Sequence, residues 1–339
     1  MDQFGLITRN LQEVINPEHL KNVLTKRQPK GYWGTAPTGS IHIGYLVPLL
    51  KLKDIVDAGC HLTILIADIH AFLDDLKTPY EKISYRTKYY IEILKAVLTH
   101  LGVDLEKVNF VKGSSYQLNP EVTMELYRLA NRVTANQAIK AGTEVVKQNK
   151  NPKLTSLIYP LLQALDEKFL DVDFEIGGVD QRKIFALSMD FLERENITYL
   201  LNPIIPGLSS KKSIDGSKMS ASNGCYSKID LLEKPSMIME KIKMAYCPEG
   251  EILDNSVLAL YRNLVFKLTD KLTFYREPEY GSDLEFSNYE SLEKLYLSKE
   301  INPVDLKQNL ANFLSEYLKP IRTQCLHPDF LELYAKAYW

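Results

Sequence analysis

The stretch GYWGTAPTGSIHIGY, residues 31–45, brings together four glycines, a proline and three small hydroxyl residues, with one histidine near its end. Its first residues are typical of a short strand, a glycine-rich turn follows, and a helix is expected to begin near Ile43. In open parallel sheets, such a turn lets the backbone approach a phosphate, and the helix N-terminus stabilises negative charge. Taken alone, the turn could equally serve only to reverse the chain, and His42 could be a structural histidine.

The segments around this turn alternate between strand and helix patterns. HLTILIADIHAFL (61–73) opens as a continuous apolar run, which is typical of a strand buried on both faces of a parallel sheet. Further strands are predicted at KVNFVKG (107–113), VDFEIGG (172–178) and TYLLNPII (198–205), with helices at 79–101 and 180–195. This alternation predicts an α/β fold with a doubly wound, Rossmann-like parallel sheet.

Other parts of the chain show mainly helical patterns. Residues 9–27 have helical spacing of apolar residues, and residues 116–171 resemble a helical insertion in the sheet domain. From residue 228 onward the patterns are helical, apart from a loop-rich stretch at 276–289. We therefore predict a Rossmann-like α/β domain at 1–227 and a mostly α-helical domain at 228–339.

Composition places the chain among ordinary globular proteins. Of its 339 residues, 45% are hydrophobic and 25% charged, and the formal net charge is −2. This balance excludes nucleic-acid attraction through general basicity, so any contact with nucleic acid must be local. No signal-peptide pattern or membrane span is evident, so a cytoplasmic location is expected. The four cysteines are scattered without zinc or disulfide spacing, and reduced thiols are expected.

A second motif, GSKMSAS at 216–222, is a hydroxyl-rich loop with Lys218 at its centre. A mobile ammonium can neutralise the charge that develops as a phosphorus–oxygen bond breaks. Serine-rich surface loops are common, so this loop alone would carry no function. Its combination with the HIGY turn in one α/β domain is much more specific.

Together, HIGY and KMSAS resemble the HIGH and KMSKS signatures of class I aminoacyl-tRNA synthetases. The resemblance implies that ATP, accompanied by Mg²⁺, activates an amino acid as an adenylate, which is then transferred to tRNA. It implies catalytic roles for five residues: His42, Gly44, Lys218, Ser220 and Ser222. Electrostatic positioning suits this chemistry, and no protein metal site is predicted.

Three further motifs, YWGTAPTG (32–39), YPLLQALD (159–166) and GGVDQRKIF (177–185), resemble the tyrosine-pocket motifs of eukaryotic and archaeal tyrosyl-tRNA synthetases. Tyr159, Gln163 and Asp166 have i, i+4 and i+7 spacing and thus share one helical face. Without the resemblance, they would be interpreted as a half-buried polar face. With it, Tyr32 and Asp166 are assigned to the substrate phenol, and the amino-acid end is assigned to Tyr159, Gln163 and Gln181.

The same resemblance assigns residues to ATP. Gly178 and Asp180 would contact the ribose, since a carboxylate accepts from vicinal hydroxyls. The complete set implied for ATP is Gly34, His42, Gly44, Gly178, Asp180, Lys218 and Met219. Ala67 and His70, in IADIHA, could line the pocket or simply pack in the core.

Two positions depart from the signatures: Tyr45 replaces the second histidine of HIGH, and Ala221 the second lysine of KMSKS. KMSAS is more often associated with eukaryotic tryptophanyl enzymes, so tryptophan is the alternative substrate. A tryptophan indole, however, would leave the phenol-binding pair without its hydroxyl, and an unpaired buried carboxylate is costly. Lys211 or Lys212 could supply the missing positive charge.

The resemblance also implies contacts with tRNA(Tyr) and assembly as a homodimer through the inserted region. In the helical domain, REPEYGSD and INPVDLK resemble segments that read the first anticodon base, with Tyr280 stacking and Asp305 pairing with guanine. Asn302 stands where histidine is expected. Arg182, Lys183 and Lys140 are assigned to the acceptor stem, since local basic residues suffice for positioning. A non-catalytic, synthetase-like RNA-binding protein and a small-molecule adenylyltransferase remain alternatives.

Overall fold

A computed structural model describes residues 2–74, 78–146, 151–192, 196–209, 218–221, 224–276 and 281–339. The chain divides into two compact units. The first unit consists of Met1–Ser40, Pro48–Pro203 and Pro328–Trp339, and the second consists of Ile41–Val47 and Ile204–His327. The predicted functional boundary at residue 227 remains a prediction.

A six-stranded sheet forms the centre of the first unit. Its strands are β1 (Glu13–Ile15), β2 (Lys30–Thr35), β3 (His61–Ile66), β4 (Val108–Lys112), β5 (Phe174–Gly178) and β6 (Thr198–Asn202). The spatial order is β1-β6-β5-β2-β3-β4, in which β1 is antiparallel and the other neighbours are parallel. The strand order reverses between β2 and β5, and the doubly wound α/β fold is therefore confirmed.

Close packing at this reversal depends on a glycine. A Cβ built on Gly31 would lie 2.0 Å from the ring of Phe174, the residue paired with it on β5. Any larger residue would push the two strands apart, so Gly31 allows the side-by-side packing of β2 and β5.

Helices alternate with these strands along the chain. They are α1 (Gln3–Thr8), α2 (Pro17–Leu24), α3 (Leu46–Asp57), α4 (Asp68–Leu73), α5 (Tyr80–His100), α6 (Pro120–Ala130), α7 (Ala135–Gly142), α8 (Leu154–Phe169) and α9 (Arg182–Leu192). Helices α6 to α8 lie within residues 116–171, where a helical insertion is predicted. Helix α7 begins with a capping box in which Thr134 and Gln137 satisfy each other's backbone N–H groups.

The second unit is mainly helical. Its elements after Ile204 are α10 (Pro235–Met244), α11 (Ser256–Leu260), a π-helical turn (Tyr261–Val265), α12 (Phe266–Leu268), β7 (Leu272–Phe274), β8 (Leu284–Phe286), α13 (Tyr289–Leu297) and α14 (Pro303–Cys325). Strands β7 and β8 form an antiparallel pair.

Two expectations from the apolar pattern were wrong. Residues 9–27 are not one helix, because Glu13–Ile15 form edge strand β1 and only Pro17–Leu24 are helical. Pairing of β1 with β6 overrides the helical spacing. The loop-rich stretch at 276–289 contains β8, which is too short to be seen as a strand without its partner.

The helix α15 (Pro328–Tyr338) returns to the first unit. Its aromatic rings pack around Tyr89 of α5, with Phe330, Tyr334 and Tyr338 at centroid distances of 5.7, 5.5 and 5.2 Å. The hydroxyl of Tyr338 also donates to the carbonyl of Gly39 at 2.9 Å. This helix therefore supports the glycine-rich turn that follows β2.

Candidate active site

A row of polar residues crosses the centre of the sheet. Tyr32 of β2 pairs in register with Glu175 of β5, which in turn pairs with Tyr199 of β6. Residues directly opposite each other on neighbouring strands point to the same face, so these three side chains lie side by side. All three are buried. The row lies next to the strand-order reversal, where α/β proteins commonly bind ligands.

Helix α8 contributes the second wall of this site. Tyr159, Gln163 and Asp166 all lie on α8 and are buried. The helix is joined to the sheet by Gln163, which donates to Glu175 Oε1 at 3.3 Å. A second link runs from the Tyr199 hydroxyl to Glu167 Oε1, at 3.0 Å.

Asp166 is held by two donors that the sequence did not single out. The Tyr116 hydroxyl donates to its Oδ1 at 2.6 Å, and Gln117 Nε2 donates to the same oxygen at 2.7 Å. Burial raises the pKa of Asp166 to about 7, although both hydrogen bonds lower that pKa and the charge of Glu167 raises it. The residue is thus a pre-positioned buried acceptor.

Glu175 lies beside the hydroxyl of Tyr32. Burial raises the pKa of Glu175 well above its usual range, and the charge of Glu167 raises it further. Burial also raises the pKa of Tyr32, with a further contribution from the charge of Glu175. Among the described residues, neither the Tyr32 hydroxyl nor Glu175 Oε2 has a hydrogen-bond partner. Such groups are costly unless a ligand or water satisfies them.

The amide of Gln163 has a defined environment. Its Nε2 donates to Glu175 Oε1 and also to Gln181 Oε1, at 3.2 Å. With the amino side of the amide turned towards two oxygen acceptors, the Gln163 carbonyl oxygen points elsewhere and can accept from a ligand. The structure therefore brings together Gln163 and Gln181, two of the residues assigned to the amino-acid end.

His70 lies at the edge of this group. Its ring meets the ring of Tyr159 edge-on at 4.6 Å, and Gln117 Nε2 lies 3.5 Å from its Nδ1. Burial lowers the pKa of His70 to about 3, so the imidazole is neutral. Its Nε2 has no partner among the residues that the structure describes.

The glycines and the acid assigned to ATP in the first unit lie at strand ends. Gly34 is near the carboxyl end of β2, and Gly178 ends β5. Asp180 follows in a 3₁₀ turn, Val179–Gln181. The carboxyl ends of the two strands at the reversal thus carry the backbone positions that a nucleotide would approach.

The two signatures meet in the second unit. The backbone of His42 forms an isolated antiparallel β-bridge with that of Asp230. The backbone of Lys218 forms another with that of Pro206. A Cβ built on Gly44 would lie 2.8 Å from His42 Cε1 and 3.8 Å from Met219 Cβ. The residues HIG and KM, far apart in sequence, are therefore neighbours, and Gly44 is required because any side chain would strike the imidazole.

His42 has a defined protonation state. Its Nδ1 accepts from the Gly44 backbone N–H at 3.1 Å. Burial, followed by the charge of Lys228, lowers the pKa of His42 to about 3. A neutral imidazole that accepts at Nδ1 carries its proton on Nε2, so His42 acts as a hydrogen-bond donor rather than a cation.

The residues assigned to tRNA have varied surroundings. Arg182 forms an ion pair with Glu13 at 2.9 Å, and Lys183 forms one with Glu144 at 2.7 Å. Lys140 is exposed on α7. Asn302 caps α14 by accepting from the Asp305 backbone N–H at 2.8 Å, and its Nδ2 donates to Asp305 Oδ2 at 2.9 Å. Ser220 is described, whereas Lys211, Lys212, Ser222 and Tyr280 lie outside the described residues.

A sheet reversal lined by polar side chains is typical of α/β proteins that bind nucleotides. The family described as tRNA synthetases class I (W and Y) matches residues 24–319. The chain belongs to this family. No helix in the described part of the chain is long and apolar enough to cross a membrane.

The similar proteins carry one consistent name. The chain is 45% identical over 340 residues to "Tyrosine--tRNA ligase, cytoplasmic" of Danio rerio, covering 99% of this chain and 63% of that protein. It is 45% identical over 351 residues to the protein of the same name in Saccharomyces cerevisiae, covering 99% and 88%. The chain therefore spans less than two thirds of the zebrafish relative.

A solved structure is also similar. The tyrosyl-tRNA synthetase of Archaeoglobus fulgidus, determined in complex with L-tyrosine, superposes with a TM-score of 0.84 at 33% identity. The match covers 95% of this chain and 98% of that one.

Proposed function

We propose that this chain activates L-tyrosine with ATP to form tyrosyl-adenylate and transfers the tyrosyl group to the 3′-terminal adenosine of tRNA(Tyr). The observation that carries the proposal is the buried Asp166, held by Tyr116 and Gln117 in a chain that is 45% identical to tyrosine–tRNA ligases. A buried, pre-positioned acceptor suits a substrate that brings a hydroxyl into an apolar pocket.

Recognition of the phenol is assigned to Asp166 and Tyr32. The Asp166 carboxyl group accepts a hydrogen bond from the substrate phenol, and the buried Tyr32 hydroxyl supplies the second contact. Phenylalanine would bring no hydroxyl to these two groups, and sites of this type reject the substrate that lacks the hydroxyl by ~10⁴–10⁵; tyrosyl-tRNA synthetase is itself the standard example.

The amino-acid end is assigned to Tyr159, Gln163 and Gln181. The carbonyl oxygen of Gln163 accepts from the substrate ammonium, because its amino side is held by Glu175 and Gln181. These contacts place the substrate carboxylate for attack on the α-phosphate of ATP, a step governed by positioning.

ATP enters with Mg²⁺ as the substrate. In the first unit, Gly34, Gly178 and Asp180 are assigned to the nucleoside. In the second unit, the assigned residues are His42, Gly44, Lys218, Met219, Ser220 and Ser222. The His42 Nε2–H donates to a phosphate oxygen, and the Lys218 ammonium neutralises the charge that develops on the leaving pyrophosphate.

Transfer to tRNA and dimer formation belong to the same proposal. Lys140, Arg182 and Lys183 are assigned to the acceptor stem, and Tyr280, Asn302 and Asp305 to the anticodon. A homodimer through the insertion is supported by exposed apolar residues there, among them Leu118 (65% exposed), Met124 (52%), Tyr127 (63%) and Leu154 (78%). Because the two relatives are named cytoplasmic, we place this activity in the cytoplasm.

Exchange of labelled pyrophosphate into ATP tests the proposal. The unaltered chain is assayed with tyrosine, tryptophan or phenylalanine, and then charges tRNA(Tyr). We expect tyrosine-dependent exchange and charging. Exchange with tryptophan instead would identify the alternative substrate, and no exchange with any amino acid would favour a non-catalytic RNA-binding protein.

A further inference from the structure

The signature loop lacks its second lysine, and the structure places another lysine at that point. Lys228, seven residues downstream of Ala221, donates from Nζ to the Ala221 carbonyl oxygen at 2.8 Å. Its side chain is almost fully buried, with 6% of the residue exposed. A buried ammonium is expensive unless several oxygens surround it. Lys228 is therefore a buried cation with a defined hydrogen-bond acceptor, not a surface lysine.

The backbone around Lys228 is paired with the other signature. Ile43 N donates to the Ile229 carbonyl at 2.9 Å, and Leu231 N donates to the Ile41 carbonyl at 3.0 Å. These two hydrogen bonds flank the backbone β-bridge between His42 and Asp230. The segment that carries Lys228 is thus fixed to the HIGY segment, while the Lys228 side chain reaches the KMSAS loop.

The charged and titratable groups around the Lys228 ammonium are consistent with a fixed position for it. Asp230 Oδ1 lies 3.3 Å from Lys228 Nζ, and the charge of Lys228 contributes to the lowered pKa of His42. Lys241 donates to the Lys228 carbonyl at 3.0 Å, which holds the backbone from the opposite side. The Lys228 side chain therefore contacts the KMSAS loop, while the backbone that follows Lys228 pairs with the HIGY segment.

We propose that Lys228 is a positioning residue that holds the KMSAS loop through the Ala221 carbonyl and supplies there the positive charge that KMSKS enzymes carry on their second lysine. The inference rests on the proposed function. Lys211 and Lys212 lie outside the described residues, whereas the contacts of Lys228 are described. The effect on the reaction is indirect: a fixed loop keeps Lys218 in place for the leaving pyrophosphate.

Removal of the charge provides the first test. Lys228→Met is expected to lower kcat/KM for ATP in pyrophosphate exchange by about 10- to 100-fold, the effect of losing a hydrogen bond to a charged group. KM for tyrosine serves as the internal reference, since the residues assigned to tyrosine belong to the first unit, and it is expected to change little. Wild-type kcat/KM in this variant would overturn the proposal.

Rescue distinguishes this role from a purely structural one. Ala221→Lys, added to Lys228→Met, returns an ammonium to the loop and is expected to recover most of the lost kcat/KM. The matched control is Lys51→Met, which removes another buried lysine that donates to a carbonyl (Arg9, 2.6 Å) and pairs with an aspartate (Asp54, 2.9 Å). Ala221→Lys should not rescue that variant. Failure to rescue Lys228→Met would assign Lys228 to structure alone.

A second variant separates loss of the charge from loss of folding. Lys228→Gln keeps a donor for the Ala221 carbonyl and loses the charge, and we expect a similar fall in kcat/KM with an unchanged melting temperature. Wild-type kcat/KM in Lys228→Gln would contradict the charge requirement. If the unaltered chain shows no tyrosine-dependent exchange, the proposed function fails, an outcome distinct from exchange that is insensitive to Lys228.

Discussion

The hydroxyl of Tyr116 donates to Oδ1 of Asp166 at 2.6 Å, and this bond joins the start of the helical insertion to the buried acid of α8. Gln117 Nε2 donates to the same oxygen at 2.7 Å, so two donors fix the orientation of the carboxyl group. The acid is thus oriented before any substrate arrives, which lowers the entropic cost of binding.

Loss of the Tyr116 hydroxyl should destabilise the ionised form of Asp166 relative to its protonated form. The Tyr116 bond lowers the pKa of Asp166, so Tyr116→Phe raises that pKa above about 7. We expect kcat/KM for tyrosine to fall about three- to tenfold near neutral pH, with the acid limb of its pH profile moved to higher pH. Tyr127→Phe, at an exposed position in the insertion, is the control. An unmoved acid limb would contradict this role.

The raised pKa of Asp166 also predicts a pH-dependent stability. The folded protein holds this proton up to about pH 7, whereas the ordinary value is 3.8, so the stability from Asp166 is greatest at low pH and is lost as pH rises towards 7. Asp166→Asn keeps an oxygen for both donors and removes the charge. We expect this variant to gain stability over the unaltered chain at pH 8 but not at pH 4, measured by urea unfolding.

The control for that measurement is Asp180→Asn, which changes a half-buried acid in the same unit. It shows how much stability changes when a carboxylate is replaced by an amide elsewhere in the unit, and that change is subtracted at each pH. Equal stability of Asp166→Asn and the unaltered chain at pH 8 would mean that folding does not raise the pKa of Asp166.

Glu175 should determine the orientation of the Gln163 amide. Glu175→Gln replaces an acceptor by a group that can also donate, so the Gln163 amide can turn and present its amino side to the substrate. We expect KM for tyrosine to rise about tenfold. Inhibition by 3-(4-hydroxyphenyl)propanoate, which has no amino group, should stay the same. Equal weakening of both ligands would place the effect at the phenol end instead.

Gly44 is expected to tolerate no side chain. Gly44→Ala places a Cβ 2.8 Å from His42 Cε1 and must displace the imidazole. Because a small misplacement near the reacting groups is costly, kcat/KM for ATP should fall about 100-fold. Gly224→Ala is the matched control in the same unit, since a Cβ there meets nothing within 4 Å. If the two variants behave alike, His42 is not part of the ATP site.

Substitution of Asp305 should weaken the recognition of tRNA and leave adenylate formation unchanged. Asp305→Ala removes the carboxylate proposed to pair with guanine, and we expect KM for tRNA(Tyr) to rise about tenfold. Pyrophosphate exchange should be unchanged. Glu316→Ala, an exposed acid on the same helix, is the control. An increase in KM with both variants would indicate general electrostatics.

The sequence predicted those parts of the fold that depend on local patterns. The continuous apolar run that contains β3 and the alternation around it give the parallel sheet, and helical spacing places Tyr159, Gln163 and Asp166 on one helix. Strand β1 was missed because its three residues also fit a helical pattern, and only pairing with β6 decides between the two.

The parts of the site that the sequence did not predict depend on tertiary contacts. Tyr116 and Gln117 precede α6 by a few residues and contact Asp166 only because this segment lies against α8, about 50 residues later in the chain. Lys228 reaches Ala221 through the pairing of two segments far apart in sequence. One signal was present: Glu175 is an acid inside an apolar strand, and a carboxylate placed there must find partners.

The position of α15 has a consequence for synthesis of the chain on the ribosome. Domains commonly fold as they emerge, with the N-terminal part first. Here the rings that enclose Tyr89, and the Tyr338 hydroxyl bonded to the Gly39 carbonyl, are translated only after all of Ile204–His327. The nascent first unit therefore waits, with one apolar face of α5 uncovered, until the second unit has been made. In this interval the growing protein would depend most on chaperones.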